Sequence, residues 1–323
     1  MARRGGWRRL GSTRGFRYVD SRGRPVADER LRRIEELAIP PAWRDVWISP
    51  DPCGHIQATG VDAAGRKQYR YHDAWRKARD EAKFERVVDV AERLPEIRDK
   101  LCADLTTGRG LSRERVLAAI VRLLDMGTFR VGGDQSAARA EDPTYGLSTL
   151  RPEHVRTRRG CLLLEFTGKS GVEHTTTVDD GEVCTVLRDL KRRRRGEDRL
   201  FAYWDGSARR WQEVRADAIN EYLRAISGGR MTAKDFRTWH GTVKAAEVLA
   251  GAGPQPTAAK RKKVVAHAMK EVAEMLGNTP AVARGSYVDP RVIENFENGE
   301  VVGEPDAGPE DIEEQVLEML SED

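Results

Sequence analysis

Two hydrophobic periods follow one another along the chain. In the first 72 residues, aromatic and β-branched residues alternate with polar ones between turn sequences such as SPDPCG and VDAAG, a pattern typical of short antiparallel strands. A helical segment, DERLRRIEELA, precedes these strands; Asp28 is its candidate N-cap, and Pro40 and Pro41 prevent its extension. The strands predicted in this way are Asp45–Ile48, His55–Thr59 and Gln68–Tyr71.

From Asp73 onward the apolar residues recur at helical spacing, which predicts a mainly helical remainder. Three strand-like runs interrupt it, HVRTRR, CLLLEFTG and VEHTTTVD, and turns at Gly160 and at 168–171 connect them. Ser112 is a plausible N-cap. The predicted helices are 73–94, one that begins at Pro95, Ser112–Met126, Gly133–Ala140, Glu182–Arg194, Ala208–Ile226, Ala233–Ala250, Thr257–Leu276 and Pro290–Glu297.

These elements predict an α+β fold, and the length of 323 residues suggests two domains. A small β-rich N-terminal domain is expected over residues 1–80, and a mainly α-helical domain with a small β-sheet over 81–298. Residues 299–323 are expected to form a flexible acidic tail, in which only DIEEQVLEML could become a short helix.

The charge of the chain is unevenly distributed. The total is +4, but residues 297–323 contain eleven acidic residues and no lysine or arginine, so residues 1–296 carry +15. A basic body favours a polyanionic partner such as nucleic acid. A tethered acidic tail is expected to compete weakly with that partner.

Several classes of protein are disfavoured. No apolar run approaches the ~20 residues of a membrane-spanning helix, and no apolar stretch follows the basic N-terminus as in a secretory signal. The cysteines at positions 53, 102, 161 and 184 form no C-x-x-C motif, so reduced thiols are expected. The motifs of P-loop NTPases, dinucleotide enzymes, zinc proteases and serine hydrolases are absent. We therefore expect no metal, no small-molecule cofactor and no membrane partner.

Six polar residues that are scattered along the chain could act together in one chemical site. They are Arg130, Lys169, Lys234, Arg237, Asn278 and Tyr287. Taken singly, each has an ordinary explanation, such as a solvated arginine, an exposed turn lysine or an asparagine at a helix C-terminus. Taken together, they can surround a phosphodiester. Guanidinium forks match nonbridging oxygens, a lysine ammonium can protonate a departing alkoxide, and a deprotonated tyrosine is a nucleophile.

Six segments, in their order and spacing, resemble the type IB DNA topoisomerases, specifically the short bacterial and poxvirus-like branch. The resemblance runs from about Pro40 to Phe296 and rests on PPAWRDVWISPDPCGHIQATGVDAAGRKQYRYH, FRVGGD, TYGLSTL, FTGKSG, KDFRTWHGT and the Asn278–Tyr287 segment. It implies an enzyme that relaxes supercoiled double-stranded DNA through a transient single-strand break and reseals it without ATP. It also implies a monomeric, bilobed DNA clamp at the nucleoid in the bacterial cytoplasm.

The resemblance implies a role for each candidate. Tyr287 attacks a DNA phosphate and is left in a 3′-phosphotyrosyl link, while Lys169 is the general acid for the 5′ oxygen. Arg130 and Arg237 stabilise the transition state, and Lys234 supports Arg237.

One position departs from the commoner pattern of the family. Many members have histidine where this chain has Asn278. The amide can still donate a hydrogen bond to a nonbridging oxygen, but it cannot carry a positive charge. Hydrogen bonding rather than acid catalysis is therefore expected from Asn278.

The N-terminal strand GRKQYRYH has a possible second role. Its candidates for DNA binding are Arg66, Lys67, Gln68, Tyr69 and Tyr71. A β-ribbon fits the major groove, where glutamine can pair with adenine and aromatic rings can contact a thymine methyl. The resemblance to poxvirus enzymes implies such base contacts. The alternative is that one of the two tyrosines packs into the small core.

Two other functions remain open at this stage. A tyrosine recombinase or integrase shares the phosphotyrosine chemistry, but it usually has H-x-x-R where this chain has Lys234-x-x-Arg237, and its N-terminal domain is usually all-helical. A noncatalytic architectural protein would bind DNA in a salt-sensitive way without forming a covalent adduct.

Overall fold

The computed structural model describes residues 5–12, 15–107, 110–139, 141–158, 161–193, 198–302 and 309–321. The chain divides into two compact units, Met1–Lys83 and Phe84–Asp323. The first contains an antiparallel sheet, and the second is mostly helical with small sheets. This architecture confirms the predicted α+β class. The predicted helix ends Ala140 and Arg194 and the turn residue Gly160 lie outside the described residues.

The N-terminal unit is built on a five-stranded antiparallel sheet with the order β2-β1-β3-β4-β5. The strands are β1 (Trp7–Ser12), β2 (Gly15–Val19), β3 (Arg44–Ile48), β4 (Ile56–Val61) and β5 (Lys67–Tyr71). The last three confirm the predicted strands. The first two were not predicted, because most of their side chains are exposed and only Trp7 and Val19 are buried. A weakly apolar edge hairpin shows no clear alternation.

Helix α1 (Asp28–Glu36) covers the core of this sheet with the buried side chain of Ile34. Its N-cap is Ala27, which has no side-chain hydrogen bond, so the prediction that Asp28 is the cap is wrong. Asp28 instead lies in the first turn, where a carboxylate is favoured by the helix dipole. The rest of this core consists of Trp7, Val26, Val46, Ile48 and Ala58.

The C-terminal unit is a helical assembly around one large core. Its helices are α2 (Asp73–Ala91, which begins in the first unit), α3 (Leu94–Thr106), α4 (Arg113–Leu124), α5 (Asp134–Ala137), α6 (Gly181–Arg192), α7 (Ala216–Ile226), α8 (Ala233–Ala252), α9 (Ala258–Leu276), α10 (Pro280–Ser286), α11 (Pro290–Asn298) and α12 (Pro309–Ser321). Eight of the twelve residues of α4 are buried, so it lies at the centre. The Ser112 hydroxyl accepts a hydrogen bond from Arg115 N at 3.3 Å, which confirms the predicted N-cap.

Two small antiparallel sheets complete this unit. Strands β6 (Val155–Arg158), β7 (Cys161–Thr167) and β8 (Glu173–Val178) form the predicted three-stranded sheet, and β9 (Ala202–Asp205) pairs with β10 (Arg210–Glu213). The prediction of a helix over Ala208–Ile226 is therefore wrong for its first part, and only α7 is helical. The Asp205 carboxylate accepts hydrogen bonds from the backbone N–H groups of Ser207 and Ala208, which stabilises the turn of the hairpin.

Two further differences from the predicted helices occur in short segments. The predicted helix Gly133–Ala140 is a single turn, α5. Helix α10 was not predicted, since its seven residues are too few to show a period.

The acidic C-terminal segment is not a free tail over its described part. Helix α12 buries Ile312, Val316 and Leu320 in the large core. Burying one such side chain typically contributes ~1.5–3 kcal/mol, enough to hold a short helix in place. The prediction of a flexible tail is therefore wrong for residues 309–321, where the apolar positions i, i+4 and i+8 find a partner surface.

Candidate active site

Arg130 and Arg237 meet at the C-terminal end of α9. Nη2 of each guanidinium donates to the carbonyl oxygen of Leu276, at 3.0 Å from Arg130 and 2.6 Å from Arg237. Arg130 Nη2 also donates to Gly277 O at 3.0 Å, and Arg237 Nη1 donates to Thr128 O at 3.0 Å. The last carbonyls of a helix lack helical partners and carry partial negative charge, so they hold cations well.

Gly277 ends α9 in the left-handed conformation, with φ 58° and ψ 50°. This turn directs the carbonyl of Leu276 toward the arginines and is favourable for glycine. A Cβ atom at position 277 would also lie 3.4 Å from Cε1 of His174 on β8. The turn that precedes Asn278 therefore packs against the β7–β8 hairpin.

Among the described residues, the two guanidinium groups are held by carbonyl oxygens and not by carboxylates. Within the described part of the chain, neither forms an ion pair with a carboxylate, whereas Arg98 pairs with both Asp125 and Glu313. Arg237 is only 3% exposed. Burial and repulsion by Arg130 lower the pKa of Arg237 to about 10, although the Tyr287 phenol opposes this shift. Arg237 is thus protonated at neutral pH, and this buried cation next to the half-buried Arg130 forms a ready site for an anion.

Unsatisfied donors lie at the same place. Asn278 Oδ1 accepts a hydrogen bond from Arg130 Nη2 at 2.8 Å, which orients the amide because arginine can only donate. Asn278 Nδ2 is then buried without a partner, as is Arg237 Nε. Buried donors are rarely left unpaired, so these two groups point to a missing acceptor such as a nonbridging phosphate oxygen.

Tyr287 is half-buried beside these cations. Its ring centroid lies 5.3 Å from Arg237 Cζ and 5.7 Å from Lys234 Nζ. Gly241 on α8 allows this approach, since a Cβ there would lie 2.7 Å from Tyr287 O. The Thr242 hydroxyl lies 3.4 Å from the same carbonyl oxygen, to which it donates. Sequence analysis missed Gly241 and Thr242; the small residue one turn after Arg237 was the available signal.

Lys169 lies in the turn between β7 and β8 and is exposed. The described contacts do not bring its ammonium group to Arg130 or Arg237. The hairpin that carries Lys169 nevertheless contacts the site through His174. The His174 ring packs so closely on Gly168 that an added Cβ there would lie 2.4 Å from it, and its centroid lies 5.1 Å from that of the stacked Phe166 ring. The hairpin therefore ends beside the Gly277 turn with Lys169 at its tip.

His174 is a further member of the site that the sequence did not reveal. Burial, together with the charges of Arg130 and Arg237, lowers the pKa of His174. Its imidazole is therefore neutral at pH 7. No motif signalled this residue, because its role depends on contacts across the sheet.

The predicted DNA-binding residues of β5 are outside the core of the N-terminal unit. Tyr69 is 42% exposed and stacks on Tyr71, whose ring lies 4.5 Å from that of Trp75. Neither tyrosine belongs to the core cluster, so the alternative that one packs there is not supported. Gln68 Nε2 and the Arg66 guanidinium both donate to the Asp62 carboxylate, and Lys67 Nζ lies 5.7 Å from the Tyr69 ring centroid.

A cavity of about 490 Å³ lies elsewhere in the C-terminal unit. Its lining includes Arg98, Asp125, His240 and Glu313 but none of the six predicted catalytic residues. The residues singled out from the sequence therefore meet outside this cavity. In the described residues, no cluster of three or more metal-ligating side chains occurs, and no helix is both long and apolar enough to span a membrane.

Comparison with known proteins identifies the class. The family model for the catalytic core of eukaryotic DNA topoisomerase I matches residues 72–299, and the one for the N-terminal domain of bacterial DNA topoisomerase IB matches residues 15–62. DNA topoisomerase 1B of Acanthamoeba polyphaga mimivirus is 31% identical over 290 residues, which cover 88% of this chain and 84% of the relative. DNA topoisomerase I of Monkeypox virus and DNA topoisomerase 1B of Vaccinia virus (strain Copenhagen) are each 24% identical, over 84% of this chain and 83% of theirs.

These matches define a DNA topoisomerase, which is an isomerase. The chain belongs to the type IB DNA topoisomerase family, in its bacterial branch. Its reaction is the relaxation of supercoiled DNA through transient cleavage of one strand, a 3′-phosphotyrosyl intermediate and ATP-independent religation. The recombinase and the noncatalytic binder are thereby disfavoured.

Proposed function

We propose that Tyr287 is the nucleophile of this topoisomerase and that Arg130, Arg237 and Asn278 hold the scissile phosphate. The observation that carries the proposal is the pair of adjacent guanidinium groups beside the Tyr287 ring, buried for Arg237 and half-buried for Arg130, which have no carboxylate partner among the described residues. The unpartnered Asn278 Nδ2 and Arg237 Nε supply further donors for nonbridging oxygens. Preorganised donors of this kind stabilise the charge that develops in the transition state.

The cleavage step exchanges one phosphodiester for another. The Tyr287 phenol gives up its proton to water, and its oxygen bonds to phosphorus while the bond from phosphorus to the 5′ oxygen breaks. Lys169 gives a proton to that oxygen, which leaves as a 5′-hydroxyl. Resealing is the reverse: Lys169 takes back the proton of the 5′-hydroxyl as its oxygen attacks phosphorus, and Tyr287 leaves and regains a proton from water. Because the two diesters are close in free energy, no ATP is required.

Lys234 is proposed to support the nucleophile and Arg237 rather than to touch the phosphate. Its ammonium lies 5.7 Å from the Tyr287 ring centroid, within the range of a cation–π contact. It is one turn before Thr238 on α8, so it shares the rigid helix that carries Arg237.

We propose that the N-terminal unit binds DNA through β5. Tyr69 and Tyr71, at alternate positions, present a stacked aromatic pair beside Lys67 and Arg66. Because Gln68 Nε2 donates to Asp62, the amide oxygen of Gln68 would accept a hydrogen bond from a base edge. The C-terminal unit would then supply the catalytic residues to the same duplex.

The enzyme is further proposed to act as a monomer, without metal or small-molecule cofactor, on the chromosome in a bacterial cytoplasm. One chain contains all six proposed catalytic residues, and cationic side chains can neutralise the transition state that a metal ion would otherwise stabilise. The match to a bacterial N-terminal domain supports the compartment.

Trapping of the covalent adduct tests this mechanism. A duplex oligonucleotide labelled at either end is incubated with the wild type, denatured and separated on a gel. We expect the protein to be attached to the 3′ phosphate, and Tyr287→Phe to form no adduct while binding the duplex with unchanged affinity. An adduct formed by Tyr287→Phe, or attached at a 5′ end, would overturn the assignment.

A further inference from the structure

Helix α12 packs against α8, the helix that carries Lys234 and Arg237. Although its sequence is strongly acidic, Ile312, Val316 and Leu320 are buried in the same core cluster as residues of α8 and α11. Its polar contacts lie near both ends of the helix. They are not used by the mechanism described above.

Near the N-terminal end of α12, Glu313 joins two other helices. Its carboxylate accepts a hydrogen bond from Trp239 Nε1 on α8. It also accepts from Arg98 Nη1 at 3.0 Å and from Arg98 Nη2 at 3.2 Å, a bidentate pair. Arg98 in turn donates from Nε to Asp125 at 2.8 Å, so one guanidinium bridges the two carboxylates.

This network supports both sides of a hydrogen bond that orients Arg237. Trp239 is two residues beyond Arg237 on α8. Asp125 is the C-cap of α4, and the chain continues from it to Thr128, whose carbonyl accepts from Arg237 Nη1 at 3.0 Å. Glu313 thus holds in place both α8, which carries the donor Arg237, and the loop after α4, which carries the acceptor Thr128 O.

The C-terminal end of α12 is connected to the segment of the nucleophile. Leu320 O accepts from Arg291 Nη1 at 3.0 Å, and Arg291 pairs with the buried Asp289 at 3.0 Å. Asp289 follows Tyr287 by two residues, and its N–H donates to Thr242 Oγ1 at 3.0 Å. One helix therefore supports Arg237 at one end and Tyr287 at the other.

We propose that α12 is a positioning element of the active site and that Glu313 is its positioning residue for Arg237. The inference rests on the proposed roles of Arg237 and Tyr287. Misplacement of a reacting group by about 1 Å can lower a rate ~100-fold, so modest relaxation of this network suffices for a measurable loss. The acidic segment then assists strand cleavage instead of competing with DNA.

The test compares Glu313→Gln with Glu314→Gln in the full chain. Glu314 is exposed, on the same helix, and its substitution removes the same charge. We expect Glu313→Gln to slow single-turnover cleavage at saturating DNA by at least about 10-fold, and Glu314→Gln to leave it within about twofold. The dissociation constant for DNA, measured in a Tyr287→Phe background, is expected to be the same for both variants.

A double-mutant comparison separates positioning from general loss of structure. If Glu313 acts through Arg237, adding Glu313→Gln to Arg237→Ala should cost no more than about twofold, because the interaction is already absent. Full additivity of the two effects, or equal cleavage rates for Glu313→Gln and Glu314→Gln, would overturn the inference. If the wild type itself forms no adduct, the proposed function fails instead.

Discussion

Burying a guanidinium without a carboxylate partner costs free energy. Arg237 is buried in this way, directly beside Arg130. Its fork is held by the carbonyls of Thr128 and Leu276, which leaves Nε free for a ligand. The site is thus arranged before DNA arrives, and little reorganisation is needed when negative charge develops on the phosphate.

Removal of either guanidinium group should therefore slow cleavage more than it weakens DNA binding. We expect Arg237→Ala or Arg130→Ala to slow single-turnover cleavage at least ~100-fold. Arg→Lys at either position should rescue poorly, because an ammonium cannot replace a two-point fork. Arg113, which pairs with Glu221 on the surface, provides a control: Arg113→Ala should cleave normally. Full rescue by lysine at both sites would show that charge alone matters.

Lys169 allows a test that is specific to the leaving group. Lys169→Ala should slow cleavage of an ordinary duplex, because the 5′ oxygen must be protonated as it departs. A substrate with a 5′-bridging sulfur needs no such proton, so its cleavage by Lys169→Ala should approach the wild-type rate.

Arg237→Ala is the control for this substrate, since it acts on the nonbridging oxygens and should stay slow. Equal impairment of Lys169→Ala on both substrates would exclude Lys169 as the general acid.

At the scale of elements, the junction of α3, α4 and α8 depends on one buried carboxylate. Asp125 accepts from Arg98 on α3 and contacts Nε2 of His240 on α8 at 3.1 Å, while Arg122 lies 3.8 Å away. Burial by itself would raise the pKa of Asp125, but hydrogen bonds and charges from His240 and Arg98 lower it below its usual range.

Asp125→Asn should consequently lower the free energy of unfolding by about 3–5 kcal/mol near pH 7, the scale of a broken buried pair. Since the folded-state pKa lies below the unfolded value of about 3.9, this contribution is present above that pH and is lost as the pH falls below it. Urea unfolding at pH 7 and near pH 3 measures the difference.

The exposed Asp99 of α3 supplies the control, and Asp99→Asn should change little at either pH. A gap between wild type and Asp125→Asn that is as large near pH 3 as at pH 7 would contradict the assignment.

At the scale of the molecule, the basic character of residues 1–296 supplies the cations of the reaction. We expect relaxation of a supercoiled plasmid to proceed in EDTA without nucleotide, at a rate within about twofold of that with Mg²⁺, because side chains stabilise the charge. Loss of activity in EDTA and its recovery on addition of Mg²⁺ would show that a metal ion takes part.

Local sequence determined much of this protein because many of its signals are local. The strand alternation of β3 to β5, the N-cap at Ser112 and the helical periods of α4, α8 and α9 depend on neighbours within a few residues. The candidate residues were also visible from their types and their order along the chain. The strands of the edge hairpin β1–β2 and of the hairpin β9–β10 were not visible in this way, because their mostly exposed or half-buried side chains lack a period.

Only the tertiary structure decided how the candidates meet. Arg130 reaches Leu276 across 146 residues, and Arg98 reaches Glu313 across 215, separations about which a local period carries no information. Three features follow from such contacts. Arg130 and Arg237 lack a carboxylate partner among the described residues, Gly241 approaches Tyr287 closely, and the acidic α12 docks on the core. The physical reason is that burial and pairing depend on which surfaces come together when the chain folds.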